Sequence, residues 1–249
     1  MRTHELVLQW IEKQLSDGDL TLGGRLPGER AMAEQLHVSR TSVREAVRIL
    51  EAMGVVRAGV GSGKDAGTVV IAEPGSALGS TLRLHVATRH LPVADIVETR
   101  VLLESWAAER AQVGVPALEE AAALLDQMDE APDIDTFLAL DARFHVALAQ
   151  AAGNSVVSAM MASLRGAIEN YASTLTENLP DWNATSTRLR AEHRAILNAV
   201  NNNDGGKAAQ LVAAHIQGFY AEAGVGSQAA GNESNAGSLS AHNGAQHGP

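Results

Sequence analysis

The chain has 249 residues, with 19 lysines and arginines against 29 aspartates and glutamates, a net charge of −10 and no cysteine. Zero cysteine excludes disulfides, thiolate metal sites and thiol catalysis together, and 3% aromatics argues against a stacking platform for single-stranded nucleic acid. No apolar run is long enough for a bilayer, and Met1-Arg2-Thr3-His4-Glu5 lacks a secretion-type stretch, so a soluble, cytoplasmic protein of one or two domains is expected.

The charge is not spread evenly. Residues 1–72 hold nine basic and nine acidic side chains, whereas residues 73–249 hold ten and twenty. An acidic body therefore stands beside a neutral N-terminal segment. Domain charge, not the total, decides whether a phosphate backbone is attracted.

In chain order, Leu6, Val7, Trp10, Ile11 and Leu15 recur at helical spacing after a Thr3 N-cap. A glycine-rich turn leads to Leu26-Pro27, and Pro27 is expected to open a second helix ending near Leu36. Ser39 caps a third, which stops at Gly54. Val55-Val56 and Thr68-Val69-Val70-Ile71 flank a loop with Gly59, Gly61, Gly63 and Gly67, the pattern of a β-hairpin with a long tip. Helical patterns then recur at about 77–90, 93–113, 117–130, 134–152, 155–178, 184–202 and 205–222. From Gly224 to Pro249 large apolar side chains all but vanish, which predicts a disordered tail. No internal repeat is visible. The fold class is mainly α: a winged helix-turn-helix (three helices plus a hairpin), then an all-α antiparallel bundle. The expected boundaries are 1–72, a linker at 73–76, 77–223, and the tail at 224–249.

The third helix carries Arg40, Arg44 and Arg48 at i, i+4 and i+8, one basic stripe, with Val43, Ala46, Val47 and Leu50 opposite. Thr41 and Ser42 put short hydroxyls at its N-terminus. Such a helix can enter a major groove, where arginine binds guanine in bidentate fashion and hydroxyls hold phosphate. A solvated basic face has the same spacing; the three-helix-plus-hairpin context favours DNA. Gly63-Lys64 is not a nucleotide-cradling loop, because Ala58 and Asp65 stand where glycine and Ser or Thr are needed.

In the helical body, Asp141 and His145 are i, i+4 and share a helix face. His193 and His215 lie on two later helices, and ligands from three packed helices are one way to build a bundle metal site. One carboxylate and three neutral imidazoles suit zinc, nickel or manganese with positions left open. Spacing does not establish convergence. Each histidine can be a hydrogen-bonded core residue, and Asp141 can pair with Arg143 or Arg188. Arg100 can clamp a carboxylate or simply pair with Glu104 one turn on.

Leu26-Pro27-Gly28-Glu29-Arg30, Ala33-Glu34-Gln35-Leu36, Val38-Ser39-Arg40-Thr41-Ser42-Val43-Arg44-Glu45-Ala46 and Leu50-Glu51-Ala52-Met53-Gly54-Val55-Val56 resemble the DNA-binding domain of GntR-family transcription regulators. The resemblance implies that Arg30, Arg40 and Arg44 touch bases or phosphates, that Thr41 and Ser42 hold phosphates, and that the wing near Gly61 and Gly63 approaches the minor groove. The chain departs from it at His37, in a turn where the family has glycine, and in a longer wing without the family's arginine, for which Lys64 is a substitute. Asp95-Ile96-Val97-Glu98-Thr99-Arg100, Leu103-Glu104, Ala107-Ala108, Phe144-His145 and Ala151-Ala152-Gly153-Asn154-Ser155 resemble the FCD effector domain of the FadR subfamily. That resemblance implies a divalent metal, zinc first, on Asp141, His145, His193 and His215, with Arg100 beside the effector pocket.

The expectation is a homodimeric, non-enzymatic regulator, a repressor released from a palindromic double-stranded DNA operator by a small carboxylic acid. The pattern is similar to that of the subfamily's lactate-utilisation repressors. Two alternatives stand: a metal-dependent enzyme using the Asp/His₃ set, and a metal-responsive regulator with no organic effector. No membrane partner is expected.

Overall fold

The computed structural model describes residues 2–59, 67–88 and 91–224, with backbone only for 166–174. The expected wing residues Gly61, Gly63 and Lys64, and the expected tail beyond Gly224, lie outside the described residues. Contacts divide the chain into two compact units between Thr81 and Leu82.

The first unit holds α1 (Thr3–Asp17), α2 (Glu29–Leu36), α3 (Arg40–Ala52) and an antiparallel pair, β1 (Val56–Gly59) and β2 (Gly67–Val70). Its core gathers one apolar stripe from each helix: Val7 and Ile11, Met32 and Ala33, then Val43, Ala46, Val47 and Leu50, closed by Val56 and Val70. Two helix starts differ from expectation. Arg2, not Thr3, is the N-cap of α1; Thr3 is helical, and its hydroxyl is taken by Ser42. Pro27 stays outside α2 because extended Gly28 is the cap. Ser39 caps α3 as read, its Oγ accepting from the Ser42 N–H at 3.0 Å. Gly54, at φ +69° with the Glu73 carbonyl 2.4 Å from where a Cβ would stand, ends that helix as only glycine can. The hairpin has a neighbour the alternation did not reveal: Arg25 bridges Val69, with backbone hydrogen bonds from Gly23 and Leu26 to β2.

His37, between α2 and α3, adopts φ +53°. A left-handed histidine is therefore what this turn uses in place of glycine.

α4 (Pro74–Ala87) starts three residues earlier than the pattern suggests, since proline is tolerated in a first helical turn. The second unit is built from α5 (Val93–Arg110), α6 (Pro116–Asp129), α7 (Ile134–Ala151), α8 (Ser155–Thr176), α9 (Trp182–Asn201) and α10 (Gly205–Glu222). α5 packs on α10, α7 and α8, while α6 bridges α7 and α9. Phe137, Phe144, Met128, Leu148, Met161, Ile196 and Ile216 are fully buried between them. Aspartate or asparagine caps four of these helices, at Asp133, Asn154, Asp181 and Asp204. Gly205 lets α10 start against the end of α5: a Cβ there would stand 2.3 Å from the Glu109 carbonyl oxygen.

Candidate metal centre and nucleic-acid interface

In the first unit the basic stripe is real and outward. Arg40, Thr41, Arg44 and Arg48 are exposed on α3, while Val43, Ala46, Val47 and Leu50 are buried. The cations are not all loose. Arg44 grips Glu29 on α2 through Nη2 at 2.8 Å, with Nε at 3.2 Å from the same oxygen. This contact holds the Arg44 guanidinium in its charged form. Arg30 pairs with Glu34 on its own helix at 2.8 Å. Ser42 turns inward: it is buried, its Oγ donates to Thr3 Oγ1 at 3.0 Å and lies 3.0 Å from Ser39 Oγ. The structure thus gathers Arg40, Thr41 and Arg44 on one surface and places Ser42 beneath it.

In the second unit α7 contributes Asp141 and His145, α9 His193, and α10 His215. One ligand atom from each lies within 4.8 Å of all the others. His193 Nε2 is 3.0 Å from Asp141 Oδ1, His145 Nε2 is 3.9 Å from the same oxygen, and His145 Nε2 is 3.3 Å from His215 Nε2. Among the described residues no other group of three or more metal-ligating side chains gathers. The competing partners of Asp141 are engaged elsewhere, Arg143 with Glu120 and Arg188 with Glu192 and Glu222.

Two carboxylates that the sequence did not single out as site residues stand behind the histidines. Glu104 on α5, 1% exposed, places Oε2 2.5 Å from His145 Nδ1. Glu192 on α9 places Oε2 2.8 Å from His215 Nδ1. A carboxylate on Nδ1 fixes the tautomer that turns Nε2 to the centre. Glu104 is legible only as a turn-spaced partner of Arg100, and Glu192 only as the residue before His193.

The electrostatics favour ligation at Asp141, His193 and His215 and oppose it at His145. Burial opposes the charge on Asp141, but the contact with His193 and the three imidazoles hold its carboxyl well below the usual carboxylate range. Burial pushes His193 down, and burial together with neighbouring His193 takes His215 to about 4, so both are neutral imidazoles, the form that binds metal. His145 moves the other way: burial works against its charge, and Glu104 outweighs it. Glu104 itself is drawn down to about 2, Arg100 and His145 overcoming its burial.

Beside the four residues is a cavity of about 60 Å³, lined by Arg100, Arg165, Asp141, His145, His215 and Tyr220 and otherwise apolar, with Met161, Leu189 and Phe219 among its walls. Arg100 serves both readings at once. Its Nε donates to Glu104 Oε1 at 2.7 Å and its Nη1 to Tyr220 Oη at 3.1 Å, yet it still faces the cavity.

Comparison with known proteins agrees with this division. Residues 3–64 match the family of bacterial regulatory proteins of the gntR type, and residues 95–218 match the FCD domain. The chain is 29% identical over 214 residues to the HTH-type transcriptional regulator LutR of Bacillus subtilis, covering 81% of this chain and 92% of that one. It is 28% identical to the Glc operon transcriptional activator of Escherichia coli, over 79% of each chain. It is 26% identical to the putative L-lactate dehydrogenase operon regulatory protein of Escherichia coli, over 86% and 84% of the two chains. A GntR structure from Streptococcus agalactiae shares the fold at TM-score 0.62, with 23% identity, covering 87% of this chain and 97% of that one. These relatives are regulators, which sets the enzyme reading aside. The chain belongs to the GntR family of bacterial transcription regulators, in the branch whose helical domain is of the FCD type.

Proposed function

We propose that this regulator is a homodimeric repressor that leaves a palindromic operator when a small carboxylic acid binds beside a divalent metal in the helical domain. The observation that carries the reading is the shared cavity: Arg100, Asp141, His145 and His215 line the same space of about 60 Å³, and His193 completes the group of four ligands. Residues 1–72 are the DNA-binding domain and 77–223 the effector domain.

The donor set fits a metal. His193 is fully buried, and although Nε2 lies 3.0 Å from Asp141 Oδ1 the two are not in hydrogen-bond geometry, so neither ring nitrogen has a hydrogen-bond partner among the described residues. A buried nitrogen left that way costs about 1–3 kcal/mol unless something else binds it. Asp141, His145, His193 and His215 would hold the ion, zinc first, with nickel or manganese as alternatives. When bound, the ion supplies a Lewis-acidic anchor for an oxygen of the acid. Arg100 supplies the other anchor. Its guanidinium has five N–H donors, of which Glu104 and Tyr220 engage two, and it clamps a carboxylate with those that remain. A 2-hydroxy acid offers both a carboxylate and a hydroxyl, and one relative is named for an L-lactate dehydrogenase operon; lactate is the first acid to try.

On the DNA side, Arg30, Arg40 and Arg44 meet bases or phosphates and Thr41 a phosphate, while Gly61, Gly63 and Lys64 belong to the wing. Ser42 contributes by fixing the first turn of α3. For the acid to release DNA it must favour one state of the protein; a hundredfold preference is worth about 2.7 kcal/mol.

The test is operator binding at fixed salt by zinc-loaded protein, with and without L-lactate, glycolate, pyruvate and acetate. Release by one of these, abolished by Arg100→Ala with zinc retained, supports the reading. Release by zinc alone makes the protein a metal-responsive regulator instead.

A further inference from the structure

The four ligands and Arg100 do not act as separate parts. Between them stands Glu104, 1% exposed, whose two oxygens are divided: Oε1 accepts from Arg100 Nε at 2.7 Å and Oε2 lies 2.5 Å from His145 Nδ1. Its counterpart Glu192 is placed differently. That carboxylate is half-buried and joins His215 to Arg188, a residue that does not line the cavity. So His215 is backed by a carboxylate paired with a cation outside the cavity lining, and His145 by a carboxylate that also holds Arg100, a cation of that lining.

We infer that Glu104 is a positioning residue shared by metal and acid: a single buried carboxylate sets both the His145 imidazole and the Arg100 guanidinium, so that loosening one loosens the other. The inference rests on the reading of the cavity given above. Arg100 donates its Nε–H to one oxygen and His145 sets Nδ1 in close contact with the other, and only a group with two acceptor oxygens meets both at once. Held through Nε, the guanidinium keeps its plane while its outer nitrogens reach the acid; held through Nδ1, the imidazole keeps Nε2 toward the other ligands. Binding the acid stiffens Arg100 against Glu104 and thereby His145, and by reciprocity the metal strengthens the hold on the acid.

Glu104→Gln is the direct test, because the carboxamide keeps the shape and offers one acceptor and one donor in place of two acceptors. Zinc affinity is measured on the full chain without acid, by competition with a chromophoric chelator. Affinity for L-lactate, glycolate, pyruvate and acetate is then measured at saturating zinc. Glu104→Gln should lose both, zinc by about 10- to 100-fold and the acid by at least tenfold. Glu192→Gln should lose zinc affinity alone, and Arg100→Lys acid affinity alone. The visible spectrum of the Co²⁺-loaded protein should shift in Glu104→Gln, because His145 is re-aimed, which a purely structural role would not produce. If Glu104→Gln fails to melt cooperatively, Glu104→Asp replaces it; one methylene shorter, it cannot reach both partners, and the same double loss is expected.

The inference is overturned if Glu104→Gln keeps its acid affinity at saturating zinc, or keeps its zinc affinity. Wild-type protein that binds no zinc overturns the metal reading itself. Wild-type protein that binds zinc but no acid of the panel overturns the acid reading and the Arg100 half of this inference, while the zinc measurements still judge the His145 half.

Discussion

The two units use polar residues in opposite ways. In the first, Arg40, Thr41 and Arg44 lie on one exposed helix face, and the core beneath is apolar from Val7 to Val70. In the second, the assigned residues lie inside: His145, His193 and His215 are at most 4% exposed and drawn from three helices. A surface site needs only one helix in the right phase. An interior site needs three helices to stop, turn and pack correctly before it exists at all. Changes to packing should therefore damage the second site through stability, and changes to α3 should damage the first with the fold intact.

The most severe test is Phe144→Ala. Phe144 is fully buried, with its ring centroid 4.9 Å from that of His193 and 5.4 Å from that of His145. Loss of about 3–5 kcal/mol of stability is expected in denaturant unfolding, together with lost zinc binding. A variant that unfolds like wild type would show that the centre does not depend on the core around it. Next in size is the metal itself. Zinc at 100 times its Kd should stabilise the protein by about 2.7 kcal/mol, and His193→Ala should abolish the rise in melting temperature. Equal stabilisation of the variant would place the ion elsewhere.

Arg40→Ala or Arg44→Ala should cost about 1–3 kcal/mol of specific operator binding at fixed salt where the arginine reads a base, with melting temperature unchanged. Unaltered affinity in both would remove α3 from the interface. Ser39→Ala, which removes the α3 cap, should cost about 1 kcal/mol, read as a lower denaturant midpoint with the same m-value. The smallest effect is at His37. Glycine there relieves the left-handed conformation but loosens the unfolded chain, so a gain of about 0.5 kcal/mol at most is expected, seen as a slight rise in melting temperature. A fall would mean that the imidazole is doing something its backbone angle does not show.

Much of this was legible in the residues. Periodicity located α1, α3 and α10 within a residue or two, because amphipathic helices with Ser39 or Asp204 beside them announce both phase and start. Local signals failed where a long-range contact decides. Thr3 has the chemistry of a cap yet is helical, its oxygen already accepting from Ser42, 39 positions away. The Arg25 bridge to Val69 needs β2 in place before it means anything. For the metal centre, spacing linked only Asp141 to His145. His193 and His215 were candidates on two later helices that the resemblance joined to the set, and the carboxylates behind the ring belong to helices whose phase around the centre no spacing rule gives. Arg100 was framed as clamp or salt bridge, and the packing of α10 on α5, with Tyr220 opposite, lets it be both.

The Arg44–Glu29 contact has a bearing on how such a protein searches a chromosome. In the free protein this cation is already answered by a carboxylate held 2.8 Å away. A stretch of indifferent duplex offers only a phosphate in exchange, one anion for another, with little gained. A guanine edge offers two acceptors in fixed register, a better bargain than the exposed carboxylate gives. Where Arg44 reads a guanine, Glu29 would set a threshold, muting the pull toward random sequence more than the pull toward the right one, and Glu29→Ala should bind random duplex more tightly and discriminate less.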